Sequence, residues 1–387
     1  MGIYIARGRK ARRAYGFDEV AIVPGDITID PMDVSAETSI GDVKLQIPFL
    51  ASAMDAVVNP QTAAKMSSLG GLAVLNLNGI YTRYKDPKEA LERIIKSTDD
   101  DATSVLQDVY SKDIEPNLIS EVITKMKSKA PNAVAVSSIP QTAETFAPIA
   151  REAGVDVFVV QATVTTLSYK SKSHTQLNFS KLIKEIRVPV IVGNCVTFKA
   201  AYDLMETGIS GILVGVGPGA ACTTRGVLGL GVPQVTSTAD VSAARDLYFK
   251  KSGRYVSVIT DGGMRVGGDV CKAFVSGADA VMLGSPFARA NDAPGKGYHW
   301  GMAMPHRYLP RGTRVFVGTG GPLEEILMGP ATHDDGSENL VGAVKTCMGC
   351  VGAMNIRDFQ LADLIIAPSI QTEGKLLQKA QHIGMGK

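Results

Sequence analysis

Eight short apolar runs recur along the chain, each bounded by glycine, proline or polar residues. They are PFLASA (48–53), GLAVL (71–75), AVAVSS (133–138), VDVFVVQA (155–162), VPVIVGN (188–194), GILVGVG (211–217), VSVITDG (256–262) and DAVMLGS (279–285). Apolar residues follow one another in these runs instead of alternating with polar ones, which predicts parallel strands buried on both faces. The segments between them carry helix signals. NPQTAAKMSSLG (59–70) opens on Asn-Pro and closes on Gly, TAETFAPIAREAG (142–154) follows Pro140, and TFKAAYDLMETG (197–208) begins with a capping Thr and ends at Gly208. Eight strand–helix units within about 250 residues predict an α/β fold of the (β/α)8 TIM-barrel type. An open doubly wound sheet is the alternative with the same local pattern.

Two segments break the repeat. Residues 80–131, with YKDPKEALERIIKSTDDD and LISEVITKMKSK, predict a short helical insertion after strand 2, packed on the barrel's exterior. Residues 291–345, after strand 8, are long and rich in Gly and Pro, as an active-site lid would be. The whole chain, 1–387, reads as a single catalytic barrel domain.

Composition changes this picture little. The 387 residues are 45% hydrophobic and 20% charged with a net charge of +2, which gives no electrostatic reason to expect nucleic acid or a membrane surface as partner. Met1-Gly2-Ile3 runs into basic residues without a long apolar core, and no run is long enough to span a bilayer. Five cysteines in so long a chain make no disulfide framework, so a cytoplasmic setting is expected.

The chemistry concentrates after strands 6, 7 and 8. GVGPGAACTTRGVLGLGVPQ (215–234) sets Cys222 among glycines on what would be the catalytic rim. A thiol there suits a nucleophile, and an inert small residue in a tight turn suits the spacing equally well. DGGMRVGGDVCKAF (261–274) and LGSPFA (283–288) are Gly-rich loops feeding helices, the usual phosphate-binding place in such barrels. Gly262, Gly263, Gly284 and Ser285 would serve the phosphate. Asp261, acceptor-only when ionised, suits a ribose diol, with a turn cap as the plainer role.

These three stretches, with GFDEVAIVPG and IPFLASAMDAV near the N-terminus, resemble the IMP dehydrogenase/GMP reductase family over nearly the whole barrel. The resemblance implies a purine nucleotide with its C2 against Cys222, and a potassium ion held by carbonyls of Gly217, Gly219 and Cys222. It implies that the Cys222 thiolate adds to IMP, that hydride passes to NAD, and that water releases XMP from the remaining thioimidate. Thr224 resembles the threonine that places this water. Arg307 and Tyr308, in HRYLPRG, resemble the pair that activates it. QTEGK resembles a tail that lends carbonyls to a neighbour's cation site, making Glu373 and Gly374 candidate ligands in an expected homotetramer.

Some positions depart from the family pattern. Ala220 replaces a phosphate-binding serine, and Gln161 replaces an aspartate at the nicotinamide site, whereas Asn194 matches. His299 and Trp300 stand in for the phosphate tyrosine and its neighbour. Met302 and Ala303 would border the base, and Arg311 falls where an acidic or amide side chain often meets the purine. The insertion is too short for the family's regulatory CBS pair. CMGC (347–350) lacks a second ligand pair, so zinc is not expected; its counterpart in the family is a glycine-rich turn, and packing is its expected role, while His174, His333 and His382 read as solvated or structural. IMP dehydrogenase is the function expected. A GMP reductase using NADPH and a catalytically silent nucleotide-binding regulator are the alternatives, and the Arg307–Tyr308 pair favours the dehydrogenase.

Overall fold

The computed structural model describes residues 2–173, 175–301, 313–370 and 373–384. Eight parallel strands close into a barrel: β1 (Phe49–Ala51), β2 (Leu72–Asn76), β3 (Ala135–Ser138), β4 (Val157–Gln161), β5 (Val190–Cys195), β6 (Gly211–Val214), β7 (Ser257–Asp261) and β8 (Ala280–Leu283). Each coincides with one of the eight apolar runs, β2 and β5 extending one residue past the end of theirs. They pair in chain order until β8 meets β1, with Val281, Met282 and Leu283 opposite Phe49, Leu50 and Ala51. The sheet is therefore a (β/α)8 barrel and has no open edge.

Strand β4 shows why the runs do not alternate. Val157 and Val159 join Leu50, Val74, Ile191, Leu213 and Ile259 inside the barrel, whereas Phe158 and Val160 join the cluster between strands and helices. Both phases are buried, so a polar residue at either would forgo roughly 1.5–3 kcal/mol of side-chain burial. A hairpin of Thr38–Ile40 and Val43–Leu45 plugs the N-terminal end of the barrel. Its Ile40 and Leu45 enter the interior cluster, and Ser257 Oγ donates to the Ser39 carbonyl at 2.7 Å.

Two helices start where their caps predict, at Asn59 and Thr197, and the third starts at Pro140, two residues before Thr142. In α1 (Pro60–Ser68), Asn59 Oδ1 accepts from the amides of Gln61 and Thr62 at 2.9 and 2.8 Å. The insertion contains α2 (Lys88–Lys96), α3 (Ala102–Ser111) and α4 (Pro116–Lys127). Helix α4 packs between α1 and α5 (Pro140–Glu152), so it is the barrel's own second helix, and the extra material is only α2 and α3. Helix α3 does not stay on the exterior as expected: it reaches the mouth of the barrel. Next come α6 (Phe179–Ile186) and α7 (Phe198–Met205), the latter capped by Thr197 accepting from the Ala200 amide. Then follow α8 (Thr224–Leu228), α9 (Gln234–Ser252), α10 (Gly267–Val275) and α11 (Ser285–Ala288).

The segment after β8 is built more firmly than a lid alone. Strands β9 (Tyr298–Trp300) and β10 (Arg314–Phe316) pair antiparallel. Helix α12 (Leu323–Met328) packs on α13 (Leu340–Cys350), which lies along α10 with Leu340, Val341, Val344 and Met348 buried. CMGC is the last turn of α13 and not a glycine-rich turn. Gly349 sits there because a Cβ would lie 2.4 Å from the Ile29 carbonyl oxygen. Packing is its role in this fold, and no cluster of three His, Cys, Asp or Glu suited to a metal occurs among the described residues.

At the N-terminal end of β8, Asp279 is 4% exposed and fully engaged. Oδ2 accepts from Arg245 Nη1 and from the Val258 amide, both at 2.8 Å, while Oδ1 accepts from Tyr255 Oη at 2.6 Å and Gln360 Nε2 at 2.9 Å. Removing one member of a buried pair strands the other, so Asp279→Ala is expected to lose about 3–5 kcal/mol in denaturant unfolding. Because the site lies at the opposite end of the barrel, ligand affinity of the folded fraction should be unchanged.

Candidate active site

The C-terminal ends of the strands surround a cavity of about 600 Å³. Cys222, Thr224, Asp261, Gly262, Gly263, Gly284, Ser285, His299, Gln161, Asn194, Gly217 and Gly219, expected from the sequence, all line it. Arg307, Tyr308, Met302, Ala303, Arg311 and His174 lie outside the described residues. Ala220 is exposed and is not part of the lining.

Backbone geometry makes the cysteine loop. Gly215 follows β6 at φ +150°, and a Cβ on it would lie 2.4 Å from the Asp261 carbonyl oxygen, so glycine alone lets the ends of β6 and β7 come together. The Cys222 amide then donates to the Gly219 carbonyl at 3.0 Å, a turn that sets the thiol on the exposed rim. Its Sγ–H donates to Thr224 Oγ1 at 3.2 Å, and Thr224 is buried at the start of α8. Arg225 braces the loop from behind through the carbonyls of Val216 and Val232.

Nothing local in the motif marks Gln234, its last residue, yet the fold gives it a central place. Its Nε2 donates to the carbonyls of Val214, Asp261 and Gly262 at 3.1, 2.9 and 3.2 Å. One buried amide thus ties the cysteine loop to the loop after β7. Gly262 and Gly263 have φ of +79° and +83°, and a Cβ at Gly263 would come within 3.0 Å of Pro218 in the cysteine loop. The two loops form one surface, but the Gly262 amide, expected to serve a phosphate, already donates to the Met282 carbonyl at 3.0 Å.

The opposite side of that surface holds Ser285 Oγ and His299 Nε2, 3.0 Å apart. Burial pushes the His299 imidazole down to about 4, so it is neutral near pH 7. Its Nδ1 is buried without a partner among the described residues. No Lys or Arg lines the cavity among the described residues, so an anion there meets amides, a hydroxyl and a neutral imidazole.

The resemblance divided Gln161 and Asn194 from Asp261, as cofactor and substrate residues. The structure joins them. Gln161 Nε2 donates to Asn194 Oδ1 at 3.0 Å and to Asp261 Oδ2 at 3.1 Å, and Asn194 Nδ2 donates to the same Oδ2 at 2.8 Å. Desolvation pushes the Asp261 carboxyl up to about 6 although both amides pull it down. It is the sole charged side chain among the described residues of the lining.

The rest of the cavity was not foreseen. Asn76 ends β2 with Asn78 just beyond it, Ser137 and Ser138 end β3, Thr163 follows β4, and α3 adds Leu106 and Tyr110. Asn78 is fixed by the Ile139 amide at 2.9 Å and by Thr142 Oγ1 at 3.0 Å. Polar residues at the C-terminal ends of apolar runs were the available signal. Nothing local marked Leu106 or Tyr110. Glu373 lines a separate surface groove with Ile365, Pro368 and Ile370, and Gly374 follows it. His333 pairs with buried Glu338 at 2.8 Å, and His382 ends a short helix at φ +53°.

A closed α/β barrel with its chemistry on the strand C-termini defines the general class. The model of the IMP dehydrogenase/GMP reductase domain matches residues 14–320, and the chain belongs to that family of oxidoreductases. It is 35% identical over 373 residues to an uncharacterised oxidoreductase of Mycolicibacterium smegmatis, covering 94% of this chain and 99% of the relative. It is 30% identical to inosine-5'-monophosphate dehydrogenase of Cryptosporidium parvum, covering 88% of this chain and 89% of that enzyme. The solved IMP dehydrogenase/GMP reductase-like protein of Corynebacterium glutamicum superposes with a TM-score of 0.89 at 35% identity, covering 95% of this chain and 98% of that one. No helix among the described residues is long and apolar enough to cross a membrane.

Because the native carboxyl of Asp261 titrates above its unfolded value of 3.8, its contribution to stability is present below about pH 4 and is lost as the pH rises through about 6. Asp261→Asn should therefore melt a few degrees above wild type at pH 7.5, with the gap closing toward pH 4. Thermal melts across that range check the sign; a variant less stable than wild type at pH 7.5 contradicts it.

Proposed function

We propose that the protein is an IMP dehydrogenase, oxidising IMP to XMP with NAD in guanine nucleotide biosynthesis. The observation that carries this reading is the exposed Cys222 thiol, 3.2 Å from buried Thr224, on the rim of a cavity that also holds Asp261. In this reading the ribose diol rests on Asp261. The phosphate takes the amides of Gly263 and Gly284 with Ser285 and His299, Gly262 shapes the turn beside them, and the base, bordered by Met302 and Ala303, presents C2 to Cys222.

Cys222 surrenders its proton and its sulfur adds to C2, a step for which a thiolate is far better suited than a hydroxyl. NAD, when bound, would supply the acceptor for the hydride leaving C2. Gln161 and Asn194 would hold its nicotinamide end and the neutral amides and hydroxyls beyond β2 and β3 the remainder. The purine stays joined to Cys222 as a thioimidate. Thr224 orients a water toward C2 and Arg307, assisted by Tyr308, takes its proton. The C–S bond breaks, and the products are XMP and the restored thiol. General bases commonly contribute about 10²–10⁴-fold.

The cation loop fits a monovalent ion by its donor set: uncharged carbonyls of Gly217, Gly219 and Cys222, hard oxygens without a carboxylate among them. In a homotetramer, Glu373 and Gly374 of a neighbouring copy would complete the set. If so, potassium should accelerate turnover well above sodium or a large organic cation. Equal rates in the three salts would remove the cation from the scheme.

The family also contains GMP reductases, so the direct test runs two reactions: IMP with NAD, and GMP with NADPH, each followed at the reduced-nicotinamide absorbance. Only the first should proceed at a substantial rate. Cys222→Ser should still bind IMP yet show no hydride transfer. Turnover of GMP alone would reverse the assignment, and turnover by the serine variant would remove Cys222 as nucleophile.

A further inference from the structure

Helix α3 lies outside the barrel repeat and yet supplies a wall of the cavity. Tyr110, in its last turn, donates its hydroxyl proton to Asp55 Oδ2 at 2.6 Å and accepts from Trp300 Nε1 at 2.7 Å. Asp55 Oδ2 also takes the Ile80 amide at 2.8 Å, and Gly79 packs so near that a Cβ would lie 2.1 Å from Oδ1. Asp55, Tyr110 and Trp300 are 1%, 7% and 0% exposed. Arg83 supports the group from behind, donating to the carbonyls of Asn78 and Lys112, with its guanidinium 6.0 Å from the centre of the Tyr110 ring.

The neighbours of Trp300 touch the candidate nucleotide site on both sides. His299 meets Ser285 Oγ, and at Gly301 a Cβ would stand 3.1 Å from the carbonyl of Ala221, the residue before Cys222. The indole is therefore the point at which β9 is fixed across the rim. The insertion holds β10 as well: Arg314 Nη1 donates to the carbonyls of Ile94 and Ile95 at the end of α2, and Nη2 to Asp99, all at 2.8 Å.

We propose that Tyr110 is a positioning residue for the nucleotide: by holding Trp300 against Asp55 it sets His299 beside Ser285 and Gly301 against the cysteine loop. The insertion is thus part of the active site's framework. The proposal rests on reading this cavity as a purine nucleotide site.

Trp300 is the only tryptophan in the chain, so its fluorescence reports the contact directly. Purified wild type and Tyr110→Phe are titrated with IMP and with GMP, without dinucleotide, while Trp300 emission is followed. The wild type should show a saturable change with at least one of the two nucleotides. The midpoint should rise about tenfold in the variant, the size expected from losing one supporting hydrogen bond, with the melting temperature changed by only a few degrees. An unmoved midpoint overturns the proposal.

Trp300→Phe removes the other end of the contact and serves if Tyr110→Phe does not fold. It should raise the nucleotide KM by a similar factor, and should weaken nucleotide protection of the Cys222 peptide against alkylation. The double variant should go no further than either single one, because both act through one contact. Fully additive effects overturn the proposal. The titration needs no turnover: a chain that binds nucleotide with the expected shift but does not oxidise IMP sinks the dehydrogenase reading and supports the role of Tyr110. No emission response and no protection of Cys222 by either nucleotide sinks both.

Discussion

Closure of the sheet is the constraint on which the rest of the structure depends. Backbone amides and carbonyls in an apolar interior must pair, and β8 on β1 supplies the last ladder that would otherwise be an open edge. A closed parallel barrel also directs every strand's C-terminus to one rim. Gln161, Asn194, Cys222, Asp261 and Ser285 come from five different strand–loop junctions and are neighbours only because the circle closes. The small side chains needed where β6 and β7 converge follow from the same geometry. Gly215 lies against the Asp261 carbonyl, and Gln234 supplies the amide that keeps the two loops together.

Around that rim, burial works against charge. Desolvation raises Asp261 to about 6 and Asp55 likewise to about 6, and lowers His299 to about 4. The molecule tolerates these groups by surrounding them with directed dipoles. Two side-chain amides face Asp261, while a hydroxyl and a backbone amide face Asp55. Preorganised dipoles of this kind need no rearrangement when a ligand arrives.

The insertion after β2 shows how a small addition to a barrel acquires a role at its rim. Helix α4 continues the regular layer, and α2 and α3 rise over the barrel's mouth, holding β9 through Tyr110 and β10 through Arg314. The two strands flank the segment 302–312 that carries Arg307 and Tyr308. Residues far apart in the chain thus share one framework, and its members are buried because polar groups holding a backbone in place act most strongly where water is excluded.

The amino-acid sequence by itself determined the barrel, because strands buried on both faces require unbroken apolar runs and eight of them leave few arrangements. It also marked Cys222, Thr224, Asp261 and the glycine pair at 262–263, since each lies in a short motif whose backbone demands are local. What local sequence could not express was contact across the rim. Gln161 and Asn194 are 33 residues apart, and each is a further long stretch from Asp261, so their hydrogen-bonded cluster exists only in the closed barrel. Tyr110 reads as an ordinary apolar position of an amphipathic helix, and Trp300 lies 190 residues beyond it. Hydrogen bonds are short-ranged and directional, whereas periodicity records only which face is buried. Which partner waits on that face was decided by the tertiary structure.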